Sequence, residues 1–334
     1  MDKGSYSISY TGAAHRHSLR PNEDSYIYFS VGCYDVLAVF DGISSHAGGD
    51  VASRICAETV SNSLHDELTR DSVDVKGAIL EAVKDAQQVI LTRQCGEPKF
   101  SKMGCTATIV CIDRQNRNVC IYSIGDSAAF RIREGKITKL TIDDTLCGEA
   151  LDLGAMSRKE ALGYPDGFSL RRWMGMPDKD IPEDRFSVWP LHPGDEYIVS
   201  TDGLHGYMSQ KAMLKIIRKG VSGKEVVECL YDAALRGKDL KGRKNKDDCT
   251  ICYYHFPDGK SVTNVWQVVL NISLIFVLIG VSFFAGIITG RKMANNVIDF
   301  KQSASVNIEA ENQNSDSTNV VIQNMEDYGN PNNF

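Results

Sequence analysis

The stretch VLAVFDGISSHAGGDVASR, residues 36–54, runs five apolar residues into an acid, Asp41, and passes at once into a glycine-rich turn. A carboxylate at the end of a hydrophobic strand gives up part of its hydration, which costs free energy unless a cation or hydrogen-bond donors compensate. A partner for Asp41 should therefore come from elsewhere in the chain. Beyond the turn the period changes. In GDVASRICAETVSNSLHDEL, residues Val51, Ile55, Val60 and Leu64 fall near one helical face, and in VKGAILEAVKDAQQVIL so do Ile79, Val83, Ala86 and Ile90. Strand-like runs follow at Thr106–Ile112, Val119–Ile124, Ala128–Arg133, Tyr197–Thr201 and Thr250–Tyr254, joining the one at Val36–Asp41. REGKITKLT sets Gly135 between two such runs and reads as a hairpin. Two neighbouring helices followed by a series of antiparallel strands predict a layered α+β domain. No GxGxxG or Walker loop supports a nucleotide-binding fold.

The chain has 334 residues and is 43% apolar, enough for a sizeable core, which excludes disorder throughout. Its net charge of -6 gives no reason to expect nucleic acid as a partner. The one basic cluster, RGKDLKGRKNK at 236–246, is interrupted by Asp239 and runs into Asp247 and Asp248, and reads as a solvated loop. Of ten cysteines only Cys249 and Cys252 form a CxxC, in an alternating segment where the two face opposite sides. Reduced core thiols fit this usage, and with it a cytosolic compartment. The N-terminal MDKGSYSISYTG lacks the apolar centre of a signal peptide.

Three zones are expected: a catalytic candidate at 1–258, a membrane span at 265–289 and a disordered Asn-rich tail at 293–334. VWQVVLNISLIFVLIGVSFFAGIIT contains no charge over its 25 residues, roughly 37 Å as a helix and enough to cross a bilayer with some tilt. Trp266 stands where an interfacial aromatic would, and Arg291 with Lys292 marks the far end. These charges favour the C-terminal flank as cytoplasmic, whereas the missing signal peptide and the reduced cysteines put the N-terminal domain inside. The latter orientation is adopted, with a cytoplasmic catalytic domain on a single-pass cell-membrane protein and an extracytoplasmic tail.

The opening pattern recurs. PNEDSYIYF places Glu23 and Asp24 before an apolar run, IYSIGDSAAF puts Asp126 after one, DEYIVSTDGLHGYMS puts Asp202 after another, and RKNKDDCTICYYHF sets Asp247 and Asp248 before the last. Each alone reads as a turn or cap. If the strands lie side by side, however, their ends converge and the acids share one pocket. Hard oxygen ligands without His or Cys pairs then imply Mg²⁺ or Mn²⁺.

At this point the chain resembles a known family, the metal-dependent serine/threonine protein phosphatases of type 2C, over nearly all of residues 8–256. The family's signatures occur in order: RPNEDS, VFDGISSHAGG, MGCTATIVCI, IGDSAAFRI, the flap-like LGAMSRKEALGYPDGFSLRRWMG, LHPGDEYIVSTDGLHGYMS and the closing DDCT. The resemblance implies a four-layer α-β-β-α sandwich of two antiparallel sheets flanked by helices. It implies that Asp41 bridges two metals and that the Gly42 carbonyl completes one of them. By the same resemblance Asp24 is the N-terminal acid, with Glu23 a less certain neighbour. Asp202 and Asp247 serve the other metal, Asp247 being preferred to Asp248 because Thr250 follows three residues later. Asp126 is similar to an acid that in bacterial members helps hold a third, weaker ion. Two dications bridged by one carboxylate make hydroxide available near neutral pH for in-line attack on phosphorus. No Cys-x5-Arg loop or GxSxG elbow offers a protein nucleophile instead.

The chain also departs from the pattern. Many relatives carry a phosphate-gripping arginine four residues before the first motif's Glu or Gln, and here that position is Leu19. GAAHRHSLRPNED instead resembles a bacterial subgroup with a GxxHxxxxxPNQD start, leaving His15 or Arg20, and less well Arg16, to contact phosphate. Eukaryotic-type members place a histidine after the DG pair as a general acid; this chain has Ile43 there, with His46 nearby as a candidate and water as the alternative. The flap at 145–185 offers Arg171, Arg172 and Trp173, and Trp173 reads as core. The resulting expectation is hydrolysis of phosphoserine and phosphothreonine in proteins, opposing a membrane Ser/Thr kinase. Its rivals are a catalytically weak phosphoprotein-binding sensor and a small phosphate-ester phosphatase.

Overall fold

The computed structural model describes residues 6–10, 21–70, 72–177, 179–238, 240–241 and 246–257. The apolar run at 265–289, the tail at 293–334, and His15, Arg16 and Arg20 lie outside the described residues. Among the described residues no helix is long and apolar enough to cross a membrane.

Among the described residues, ten strands form two five-stranded sheets. The first has the order β1 (Tyr6–Tyr10), β10 (Cys249–His255), β9 (Glu196–Ser200), β6 (Ala128–Arg133), β7 (Lys136–Lys139); the second has β2 (Asp24–Val31), β3 (Tyr34–Asp41), β4 (Ala107–Asp113), β5 (Asn118–Ile124), β8 (Phe186–Pro190). Every pairing is antiparallel.

Burial explains why β3 reads as an unbroken apolar run. Val36, Ala38 and Phe40 pack on one face against helices α1 (Gly49–Leu68) and α2 (Val75–Gly96). Leu37 and Val39 point the other way, into a core shared with Val199, Tyr197, Cys252 and Tyr254 of the opposite sheet. A strand covered on both faces loses the polar alternation of a half-exposed one. The first sheet's outer face packs Ile198, Ile251 and Tyr253 against Leu204, Met213, Val226 and Leu230. These last belong to α5 (Asp202–His205), α6 (Gln210–Ile217) and α7 (Gly223–Arg236). The expected helix–sheet–sheet–helix order follows from these three cores.

Local chemistry sets the elements. Ser209 and Ser222 cap α6 and α7 by accepting the backbone N–H of Ala212 and Glu225. Glu134 and Gly135, at φ 49° and 72°, make the tight turn between β6 and β7. Cys249 lies on the helix-facing side of β10 and Cys252 between the sheets, and every described cysteine is a free thiol. The flap contributes two short helices, α3 (Gly148–Asp152) and α4 (Arg158–Ala161).

Candidate metal centre

Antiparallel pairing brings the acids together. Asp24 opens β2 and Asp41 closes β3, so they are partners in the ladder. Asp202 follows β9 as the first residue of α5, and Asp247 precedes β10. Because β9 and β10 are neighbours in the facing sheet, these ends meet across the sandwich. Asp24 fastens the junction: its Oδ2 accepts the hydroxyls of Thr201 at 2.8 Å and Thr250 at 2.7 Å, both from the opposite sheet's side. Asp248 reciprocates, its Oδ2 accepting the Glu23 N–H at 2.8 Å.

Asp41 is held by its backbone. Its N–H donates to Thr106 Oγ1 at 3.0 Å and its carbonyl accepts the Thr106 N–H at 2.8 Å. Thr106 Oγ1 also bonds Ser127 Oγ at 2.7 Å, beside Asp126. Gly42 donates its N–H to the Glu23 carbonyl, and a Cβ there would run into the backbone of Gly49 and of Glu23. The chain therefore turns where a side chain has no room.

Asp41, Gly42, Asp126, Asp202 and Asp247 line one cavity of 590 Å³, together with His46 and Thr106. Asp24 lies behind it, buried. No three His, Cys, Asp or Glu side chains among the described residues converge on a single point at ligand distance; the carboxylates surround a space instead. Lys241 enters that space. Its Nζ lies 2.5 Å from Asp126 Oδ2 and 2.6 Å from Asp202 Oδ2. The expectation of a solvated loop at 236–246 is therefore corrected at two residues. Lys241 is 7% exposed, and Lys246 donates to the carbonyls of Ala234 and Gly237 at the end of α7 and lies over the Tyr207 ring. A lysine buried to this extent is paired with acids or with carbonyl acceptors.

The electrostatics ask for more positive charge. Burial pushes the Asp24 carboxyl well above the ordinary carboxylate range; the nearby Asp248 adds to this and the two threonine hydroxyls oppose it. Desolvation likewise raises Asp41, reinforced by Asp24, Asp202, Asp247 and Asp126, although part of its side chain faces the cavity. Asp24 Oδ1 is buried and receives no hydrogen bond among the described residues. An all-oxygen set of crowded acids with a buried oxygen lacking a donor fits a hard divalent cation such as Mg²⁺ or Mn²⁺.

His205, which sequence reasoning passed over, positions Asp126. Its Nε2 is 3.0 Å from the Asp126 carbonyl and its Nδ1 3.3 Å from Ser200 Oγ. Burial, then Lys139 and Lys241, push its pKa down to about 3. The ring is therefore neutral, with Nε2–H donating to Asp126 and Nδ1 accepting from Ser200. A lone histidine three residues after Asp202 carries no pattern by which to find it.

The flap divides its residues between two cavities. Trp173, expected in the core, is half-buried and walls the metal-centre cavity together with Leu162, Tyr164 and Phe168. Gly104 permits this, since a Cβ there would strike the Trp173 indole. Arg172 turns to the far side, where Asp144 Oδ1 lies 3.6 Å from it and 2.8 Å from Arg185. Arg171 is exposed and lines that second cavity too. His46 is exposed, with Nδ1 3.0 Å from Ser45 Oγ.

The family model described as protein phosphatase 2C matches residues 11–235. The chain belongs to the protein phosphatase 2C family. Within that family it is 26% identical over 233 residues to the serine/threonine protein phosphatase PstP of Mycobacterium tuberculosis, a match covering 69% of this chain and 42% of that relative. The chain thus spans less than half the length of this relative. The crystal structure of the Mycobacterium tuberculosis phosphatase superposes with a TM-score of 0.61 at 25% identity, covering 76% of this chain and 98% of that one. A PstP catalytic domain in complex with two manganese ions shares the fold at a TM-score of 0.59 and 24% identity, covering 75% of this chain and 97% of that one. The phosphatase 2C fold therefore accounts for the two sheets and their flanking helices.

Proposed function

We propose that this protein phosphatase 2C chain hydrolyses phosphoserine and phosphothreonine in proteins at a binuclear Mg²⁺ or Mn²⁺ centre. The observation that carries the reading is the meeting of Asp24, Asp41, Asp202 and Asp247 at one end of the sandwich, with a buried Asp24 oxygen that lacks a donor. Asp41 and the Gly42 carbonyl, Asp202 and Asp247 would hold the ions, with Asp24 behind them. When bound, the ions supply Lewis acidity, making water a competent nucleophile near neutral pH and neutralising charge on the transferring oxygens.

The chain's own residues orient and exclude. Thr106 holds the Asp41 backbone, Thr201 and Thr250 hold the Asp24 carboxylate, and the flap's Leu162, Tyr164 and Trp173 give a peptide an apolar wall beside the acids. His46, which lines the same cavity, would protonate the departing alkoxide. A wall open to solvent suits a protein segment better than a small ester, which favours phosphoprotein substrates. The proposed setting is the cell membrane: the uncharged run at 265–289 would anchor a cytoplasmic domain near a membrane Ser/Thr kinase, leaving the tail outside.

The test compares a phosphothreonine peptide with a panel of small phosphate esters under Mn²⁺ and under EDTA. Metal-dependent turnover with higher kcat/KM for the peptide supports the proposal. Peptide binding without phosphate release in any divalent metal would transfer the assignment to a phosphoprotein sensor.

A further inference from the structure

The acid cluster holds a cation supplied by the chain itself. Lys241 Nζ bridges Asp126 Oδ2 at 2.5 Å and Asp202 Oδ2 at 2.6 Å, and the three side chains are each less than one-tenth exposed. Both contacts pair an ammonium with a carboxylate at hydrogen-bond reach. An ammonium is so deeply buried only when paired. The backbone beside it is pinned: the Leu240 N–H donates to the Gly206 carbonyl at 2.7 Å, just past α5, and the Leu240 carbonyl accepts Arg158 Nη1 at 3.3 Å from flap helix α4. Lys241 is thus delivered to the two acids from a fixed point on the element that carries Asp202.

We propose that the Lys241 ammonium is a tethered stand-in for a third metal ion, so that this chain takes up two divalent cations where Asp126 and Asp202 would otherwise hold one more. The inference rests on the metal-centre reading above. Since a carboxylate has two oxygens, Asp202 would meet an ion of the binuclear centre through Oδ1, while the lysine engages Oδ2 of both Asp126 and Asp202. A divalent ion inserted between the same two oxygens must expel the ammonium and then lie beside it, two positive charges in a low-dielectric pocket. The tether also keeps the lysine at a high effective concentration, which weak binding of a free ion does not match.

The test counts ions instead of turnover. The purified full chain is stripped of metal and equilibrated with millimolar Mn²⁺, and bound Mn²⁺ is measured by equilibrium dialysis for the wild type, Lys241→Ala, Lys241→Gln and Lys241→Arg, each checked for a cooperative melt. The expected result is two bound ions in the wild type and in Lys241→Arg, which keeps the charge. Three are expected in Lys241→Ala and Lys241→Gln, the third being lost first as Mn²⁺ is dialysed away, at a higher residual Mn²⁺ than is needed to strip the other two. Three ions in the wild type, or two in both neutral variants, would overturn the proposal. A wild-type chain that binds no Mn²⁺ overturns the metal-centre reading as well, an outcome distinct from the other two.

Discussion

Asp24 and Asp41 face each other as the terminal pair of the β2–β3 ladder, two carboxylates opposed at the point where the strands leave the core. Like charges directly opposite destabilise a sheet, and here burial adds to the cost. On the proposed reading, cations lying against the pair would offset this cost.

Neutralising one member separates the two effects. Asp41→Asn removes the repulsion and should raise the melting temperature of the metal-stripped chain, by on the order of 1 kcal/mol or about 2–4 °C. It should also abolish most of the stabilisation that Mn²⁺ confers. Thermal melts with and without Mn²⁺ check both changes, and an unaltered metal-induced shift would count against Asp41 as a ligand.

The same crowding sets a pH dependence. Asp24 and Asp41 hold their protons more tightly in the folded chain than at the ordinary value of 3.8. Their contribution to stability is therefore complete below that value and is lost as pH rises through the raised folded values. The Mn²⁺-induced rise in melting temperature should grow as pH rises above the ordinary carboxylate range, as protons stop competing with the ion. Equal shifts at every pH would count against Asp41 as a ligand.

The threonine donors offer a finer probe. Thr250→Val removes one of the two hydroxyls that Asp24 Oδ2 accepts. A hydrogen bond to a charged group is worth about 1.5–3 kcal/mol, so Mn²⁺ affinity should fall about tenfold or more while the strand keeps its β-branched residue. Calorimetric titration of Mn²⁺ into the variant reads this directly.

His46 can be tested through the leaving group. A general acid contributes roughly 10²–10⁴-fold when the departing group is a poor one. His46→Ala should therefore slow release from a phosphothreonine peptide strongly and spare p-nitrophenyl phosphate, whose phenolate needs no proton. Equal losses on both substrates would give His46 a binding role instead.

What could be read from the chain divides along physical lines. The run at Val36–Phe40 was legible because two cores cover it, leaving no polar alternation to confuse the period. The acids were legible because they end strands, and strand order brings strand ends together. Lys241 was not. It sits in a segment crowded with charges, where side chains ordinarily stay in water, and only the folded geometry shows it between Asp126 and Asp202. Trp173 was misassigned to the core because its place depends on Gly104, some seventy residues earlier in the chain. β8 escaped notice as an edge strand, largely unburied and ending in proline, with little apolar pattern to mark it.

The most direct test of the metal centre is phosphate release from a phosphothreonine peptide as Mn²⁺ is titrated into the metal-stripped chain, with Asp41→Asn and Asp202→Asn beside the wild type. Release that rises with Mn²⁺ in the wild type, vanishes with EDTA and falls by orders of magnitude in both folded variants is the predicted result. Release that persists in EDTA, or in either variant at the wild-type rate, would contradict the assignment of these acids as the catalytic metal centre.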